Sequence, residues 1–239
     1  MDVLTAPAKL TTSLRVTGVR PDGYHLIDAV MVSLDFSDTL EVTDGGHGLE
    51  LINDETGRKI EFDGPNLVTK ALELCGRDAS VTIRKRIPAG AGLGGGSSDA
   101  AAILRWAGYG DAVGAASIGA DVAFCLSGGR ARVTGIGERL EPLGFEPVTF
   151  TLLTPPFGCS TPAVYAEWDR LGGPIGKNGN DLEPAAMSLW PELGRWKDLL
   201  GDESGQTPRL AGSGSTWFVL GEYPGDGRIV ARTLPTMPS

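Results

Sequence analysis

The sequence predicts an α+β protein of two lobes, divided near residue 150. Three observations carry that expectation. Alternating apolar runs typical of strands are interleaved with segments of helical spacing. A glycine-rich turn, Pro88 to Ser98, stands between a strand pattern and a helix pattern. Thr154-Pro155-Pro156 then breaks the chain just after an apolar strand run, which assigns residues 1–150 to the N-terminal lobe and 151–239 to the C-terminal lobe.

The elements follow in order. Leu14, Val16 and Val19 mark one strand run, Ala29 to Leu34 a second and Thr39 to Val42 a third, with Arg20-Pro21-Asp22-Gly23 as the turn after the first. A helix begins around Asp63-Gly64-Pro65-Asn66, because proline suits a first turn and Val68, Ala71, Leu72 and Cys75 follow at helical spacing. Gly76 ends it. Ser80 to Ile87 alternates apolar and polar residues and stops at Pro88, as a strand does. After the glycine turn, Ser97-Ser98-Asp99 supply capping residues and Ala100 to Leu104 strong helix formers. Asp121 to Leu126 opens an apolar stretch, and Arg130 to Val133 and Val148 to Leu153 read as strands. In the second lobe, Ala163–Leu171, Leu182–Leu189 and Leu193–Leu200 read as helices, and Thr216–Leu220 as a strand.

Composition narrows the function. With 239 residues, 41% of them hydrophobic, the chain can bury a sizeable core. A net charge of -9 excludes a sequence-independent nucleic-acid binder, which needs clustered Lys and Arg to neutralise phosphates. Any phosphate must therefore be held locally. Cys75, Cys125 and Cys159 lack CxxC spacing, so they indicate neither a disulfide framework nor a zinc site. No secretory signal pattern and no membrane-length apolar run is present, so the expected location is the cytoplasm, as a monomer or homodimer.

The local phosphate site is the run Pro88-Ala89-Gly90-Ala91-Gly92-Leu93-Gly94-Gly95-Gly96-Ser97-Ser98. Glycine lacks Cβ, so successive backbone amides can turn inward and approach an anion, and the following helix adds its unpaired N-terminal amides and the positive end of its dipole. The same run satisfies GxGxxG. A dinucleotide fold, however, wants a buried apolar strand before the loop and a strand ending in an acidic residue about 20 positions on. Here Arg84-Lys85-Arg86 and Gly108-Tyr109-Gly110-Asp111 occupy those places. A P-loop is excluded because no Lys followed by Ser or Thr is present in the loop.

This loop resembles the second signature of the GHMP kinases, and its GLGGGSS form is similar to that of the diphosphocytidyl-methylerythritol kinases among them. Ala6-Pro7-Ala8-Lys9-Leu10 resembles the family's first motif, and Leu210-Ala211-Gly212-Ser213-Gly214-Ser215-Thr216 its third. Arg20-Pro21-Asp22-Gly23-Tyr24-His25 resembles the substrate-side motif, and Ile118-Gly119-Ala120-Asp121-Val122 the element whose aspartate faces the reacting hydroxyl. The resemblance implies an N-terminal lobe like the second domain of ribosomal protein S5 and a ferredoxin-like C-terminal lobe. It implies ATP with Mg²⁺ and a cytidine diphosphate-linked polyol as ligands.

By the same resemblance, Lys9 and Asp121 are catalytic and Pro88 to Ser98 with Asn66 bind ATP. Thr11, Asp22, Tyr24, His25, Thr161, Pro162, Gly212, Ser213 and Gly214 bind the alcohol substrate, and Ser98 contacts the metal. Two departures stand out. Thr11 occupies the family's usual Asn position, and the Ser98–Asp121 stretch and the tail after Tyr223 are short, the tail without a helix. The rival readings are a GHMP kinase for homoserine or mevalonate, a silent nucleotide-binding homologue, and a dehydrogenase.

Overall fold

A computed structural model describes residues 1–62 and 66–237. The chain opens with two long antiparallel strands, β1 (Asp2–Val19) and β2 (His25–Asp44), joined by the turn that contains Arg20-Pro21-Asp22-Gly23. The two runs expected at Ala29–Leu34 and Thr39–Val42 are one continuous strand. It stays continuous because β2 is the centre of the first sheet and has partners on both edges. β1 lines one edge, and the other is shared by β5 (Arg130–Gly135) along Ile27–Val32 and β4 (Ala79–Lys85) along Thr39–Asp44. β3 (Leu49–Asn53) adds in parallel to β4, and β6 (Arg139–Pro142) closes the far side on β5. The sheet is thus mostly antiparallel, with the order β3-β4-β2-β5-β6 and β1 on β2. A doubly wound parallel sheet is absent among the described residues, and the dinucleotide reading of the glycine run fails with it.

Helices cover one face of this sheet. α1 (Leu67–Cys75) starts where Asn66 accepts a hydrogen bond from Val68 N at 2.8 Å, and it ends at Gly76 in the left-handed region, as the spacing predicts. The expected start at Asp63-Gly64-Pro65 lies outside the described residues. α2 (Gly95–Trp106) buries Ala100 to Leu104, and α3 (Ala112–Ile118) and α4 (Val122–Ser127) follow. The cap of α2 differs from the expectation. Gly94, left-handed at φ 68°, begins the helix without any side-chain cap, while Ser97, Ser98 and Asp99 lie inside its first turns. The glycine loop delivers the chain to the helix directly, so hydroxyl capping has no place to act.

The second sheet, β10-β7-β9-β8, is antiparallel throughout and comprises β7 (Thr149–Leu153), β8 (Arg209–Leu210), β9 (Trp217–Leu220) and β10 (Arg228–Arg232). Helices α5 (Thr161–Arg170), α6 (Glu183–Leu189) and α7 (Leu193–Ser204) belong to this half. The tail after Tyr223 forms β10 in place of a helix, then returns to the first half, bonding β2 through Leu234 N to Ser33 O at 2.8 Å and the end of α4 through Met237 N to Ser127 O at 3.2 Å.

Two apolar clusters fill the interior. One packs the helices on the first sheet and continues into the second half through Val164, Leu182, Leu193 and Trp217. The other lies between the sheets, where Leu10, Val32 and Leu34 meet Phe150, Leu152 and Phe218. Ile87, Ala91 and Leu93 of the glycine segment are buried in this second cluster. Among the described residues no helix is long and apolar enough to cross a membrane.

Phe124, 1% exposed, anchors the short helix α4 that follows Asp121. Truncating it leaves a cavity that so short a helix collapses into poorly, so Phe124→Ala is expected to cost about 3–5 kcal/mol. Urea denaturation of the variant beside the parent measures this.

Candidate active site

The site begins with the path of β1. Its register on β2 shifts between Pro7 and Lys9, and such an irregularity re-aims the side chains that follow it. Ala8 and Leu10 enter the core between the sheets, while Lys9 and Thr11 share the opposite face and line the cleft. Lys9 is only 5% exposed, an unusual degree of burial for a lysine that requires an anionic partner. That partner is Asp121, whose Oδ2 lies 3.0 Å from Lys9 Nζ. Thr11 Oγ1 accepts a second bond from Nζ at 3.2 Å. In this chain Thr11 therefore steadies the lysine, a role its short side chain can fill.

The glycine loop lies directly against this pair. Lys9 N donates to Leu93 O at 3.0 Å, which bonds β1 to the loop. Gly90, Gly92 and Gly94 all have positive φ (68°, 76° and 68°), alternating with the buried anchors Ala91 and Leu93. This alternation is a main-chain concavity whose side chains point into the protein and whose amides are left for a ligand. A Cβ at Gly94 would lie 2.7 Å from Lys9 Cγ, and one at Gly92 2.2 Å from Ala211 O, so close approach by lysine and by the second half forbids any side chain there. The first helical bond of α2 is Ser98 N to Gly94 O at 2.8 Å. The amides of Gly95, Gly96 and Ser97 precede it and face the cleft unpaired by the helix.

The second half supplies the opposite wall. Asn180 Nδ2 donates to Leu210 O at 2.9 Å and Gly212 O at 2.7 Å, which braces the turn carrying Gly212 and Ser213. Ser213 Oγ and Thr161 Oγ1 are 2.7 Å apart, and a Cβ at Gly212 would be 3.8 Å from Lys9 Nζ. On the far rim, His25 Nε2 lies 2.9 Å from Asp169 Oδ1, and its ring sits 4.6 Å from that of Tyr165. Burial, with the charge of Asp121 adding to it, holds the Tyr165 phenol above its ordinary range, so the ring stays neutral. Tyr24 stands beside them, 60% exposed. Together these walls enclose a cleft of about 1140 Å³.

Most of the expected site residues meet in this cleft: Lys9, Thr11, Tyr24, His25, Asn66, Pro88 to Ser97, Asp121, Thr161, Pro162, Gly212 and Ser213. Three do not line it. Asp22 stays in the exposed β1–β2 turn, paired with Arg20 at 2.6 Å. Gly214 packs against Leu210 and Cys159 behind the turn. Ser98, expected to touch a metal, is 1% exposed and donates to Pro7 O at 2.6 Å, because its place in the first turn of α2 points it at β1.

Cleft-lining residues outside the expected set include Lys85, Asp99, Glu138, Tyr165 and Asp169. The lysine and Asp99 looked like an ordinary strand end and helix cap. Tyr165 and Asp169 share a helix face at i and i+4, a spacing that marks a common surface but not what that surface meets.

Comparison with known proteins accords with this geometry. Residues 66–129 match the family profile "GHMP kinases N terminal domain". The chain is 37% identical over 240 residues to a 4-diphosphocytidyl-2-C-methyl-D-erythritol kinase of Paracoccus denitrificans, an alignment covering 90% of this chain and 85% of the relative. It is 35% identical to the enzyme of that name from Dinoroseobacter shibae, covering 97% and 89%. The chain belongs to the 4-diphosphocytidyl-2-C-methyl-D-erythritol kinase family. Among solved structures, a 4-(cytidine 5'-diphospho)-2C-methyl-D-erythritol kinase superposes with TM-score 0.73 at 30% identity, over 97% of this chain and 98% of the other. A mevalonate kinase with TM-score 0.63 and 13% identity shares the fold alone. As a member of this family of GHMP kinases, the chain is an ATP-dependent kinase with the α+β fold of that group.

The crowding at the loop sets a test of its geometry. Gly92→Ala places a methyl group against Ala211 O at positive φ and is expected to cost about 3 kcal/mol or more. Gly96→Ala meets nothing nearer than Leu67 Cδ1 at 3.9 Å and is expected to stay within about 0.5 kcal/mol of the parent. Thermal unfolding of both variants decides it.

Proposed function

We propose that the protein transfers the γ-phosphoryl group of ATP to the 2-hydroxyl of 4-diphosphocytidyl-2-C-methyl-D-erythritol. The observation that carries this reading is the Lys9–Asp121 pair, 3.0 Å apart, at the junction of the glycine loop with the second glycine turn. Phosphoryl transfer asks a protein chiefly to align the acceptor with the γ-phosphate and to stabilise charge spreading over its oxygens. The loop amides and the N-terminus of α2 would hold the triphosphate, with Asn66 at the base of α1 on the same side of the cleft. An alcohol bound between them and Asp121 gives up its proton to that carboxylate, while the Lys9 ammonium offsets the negative charge that develops.

At the other end of the cleft, Tyr24, His25 and Tyr165 offer aromatic faces of the kind that stack on a pyrimidine, and the hydroxyls of Thr161 and Ser213 lie nearer the reacting centre. A substrate with a base at one end and a polyol at the other spans these two regions.

The donor set for magnesium is sparse. No group of three potential ligating side chains is present among the described residues, and Ser98 is committed to Pro7. That fits an ion carried in mainly by nucleotide phosphates, with Asp121 the carboxylate nearest Lys9; when bound, it would neutralise phosphate charge. The lobe boundary is placed near residue 150, which is supported by the first sheet ending at Pro142 and the second beginning at Thr149. The cytoplasm is the proposed location.

Coupled ADP-release assays on the cytidylyl alcohol, homoserine and mevalonate test the reading. Turnover confined to the first is expected; turnover confined to either of the others would overturn the substrate assignment. Asp121→Asn should lower kcat by roughly 10²–10⁴ with ATP affinity little changed. Near-parental turnover in that variant would remove Asp121 from proton transfer. Tyr165→Ala should raise KM for the cytidylyl alcohol by about tenfold and leave KM for ATP unaltered, since stacking on a base is worth about 1–3 kcal/mol.

A further inference from the structure

We propose that a buried chain of three charged side chains, Asp38, Lys85 and Asp99, is the positioning device of the glycine loop, and that nucleotide affinity depends on its charge state. The proposal rests on the nucleotide-binding reading of the loop. It starts from a gap in the first sheet. β4 leaves β2 after the pair Thr39–Arg84, and the Asp38 carboxylate takes over where the ladder stops. Its Oδ1 accepts from Arg86 N at 2.5 Å and Ile87 N at 2.8 Å, the last two amides before Pro88. Its Oδ2 accepts from Lys85 Nζ, and the same ammonium donates to Asp99 Oδ2 at 2.6 Å. One lysine thus ties the strand entering the loop to the helix leaving it.

The location gives this tie its leverage. A Cβ at Gly95 would sit 3.2 Å from Lys85 Nζ, so the ammonium stands immediately behind the first residue of α2. Asp38 is fully buried and Asp99 is 3% exposed, yet Asp99 Oδ1 has no hydrogen-bond partner. A buried carboxylate with an unpartnered oxygen is costly as an anion. Lys85 and Asp99 also line the cleft, and no contact described for the kinase reaction uses either.

Charge makes the chain sensitive to a polyphosphate. With both carboxylates ionised, it carries a net negative charge directly behind the amides that would receive phosphate. With Asp99 protonated, it is neutral. Burial raises the Asp99 carboxyl to about 7, against the opposing pull of Lys85, while the two carboxylates outweigh burial and hold Lys85 above its ordinary range. The other elements packed on α2 present different groups: β1 sets Lys9 against Gly94, α1 sets Leu67 near Gly96, and α4 sets Cys125 beside Ser98. Burial pushes that thiol up to about 12, so it remains neutral across the relevant range. Asp99 is therefore the group whose charge changes near neutral pH, and phosphate binding should favour its protonated form.

The sign is fixed by this arrangement. Nucleotide affinity should be greater below pH 7 and fall as Asp99 ionises. Asp99→Asn keeps the shape of the neutral acid and cannot ionise. Titration calorimetry with the magnesium complex of a non-hydrolysable ATP analogue, at pH 6 and pH 8, reads the effect as the ratio of parental to variant affinity. Because both proteins see the same ligand, its own ionisation cancels. The ratio is expected to fall by about fivefold from pH 6 to pH 8, the change that follows when bound phosphate raises the carboxyl from about 7 by one pH unit. Lys85→Met should weaken the analogue by more than about tenfold, with the KM of the alcohol unchanged.

A ratio constant within twofold between the two pH values would overturn the proposal, even if the variant melts earlier, since a purely structural role moves stability and not this ratio. If Lys85→Met does not fold, the Asp99→Asn ratio decides alone. Failure of the parent to bind the analogue at either pH would overturn the nucleotide-binding reading itself, a distinct result.

Discussion

The arrangement depends on one steric constraint: the chain from Gly90 to Gly94 is held between β1 and the Ala211–Gly214 turn with no room for a Cβ at Gly92 or Gly94. The loop touches Lys9 on one side and the second half of the molecule on the other. Three of its carbonyls are consumed by this contact. Gly90 O accepts from Cys159 N and Ser215 N, Ala91 O from Thr216 N and Leu93 O from Lys9 N. Once the carbonyls are turned into the protein, alternation of the peptide planes leaves the amides for the cleft. The same bonds that join the two halves therefore create the surface proposed to receive phosphate.

Electrostatics follow from that surface. The chain carries a net charge of -9, and a general attraction for nucleotides is absent. Attraction is concentrated where Lys9, Lys85 and the N-terminus of α2 converge, each positive charge bound to a buried or half-buried carboxylate. Such pairing contributes little net stability because desolvation opposes it, but it holds each ammonium at a defined place. Preorganisation of this kind is what a phosphoryl-transfer site requires, since fixed charges need not reorganise as the transition state forms.

The second half acts mainly through position. Asn180, Thr161 and Ser213 brace one glycine turn against the other. Asp181 reaches back to Arg15 at 2.5 Å and Val16 N at 3.0 Å, and the C-terminal tail crosses to Ser33 and Ser127. The two halves are thus joined by contacts from separate stretches of chain, and Tyr24, His25 and Tyr165 line the cleft between them.

Much of this was legible in the order of residues, because the features concerned are local. Glycines that need positive φ, the Asn66 and Gly76 ends of α1, and apolar periodicity along β4, α2 and β9 all act within a few residues of themselves. The motif around Lys9 and the one around Asp121 could be recognised as pieces of a site. Their meeting at 3.0 Å depends on the register shift in β1 and on the packing of α4 by Phe124, which no local spacing records. Tertiary structure alone decided that Ser98 turns inward to Pro7, that Asp22 remains on the surface and that Lys85 joins Asp38 to Asp99. In each case the side chain's partner lies on another element, and the direction in which that element faces is set by burial of its opposite side. The sequence by itself determined where a phosphate could be gripped; the fold decided which charges stand around it.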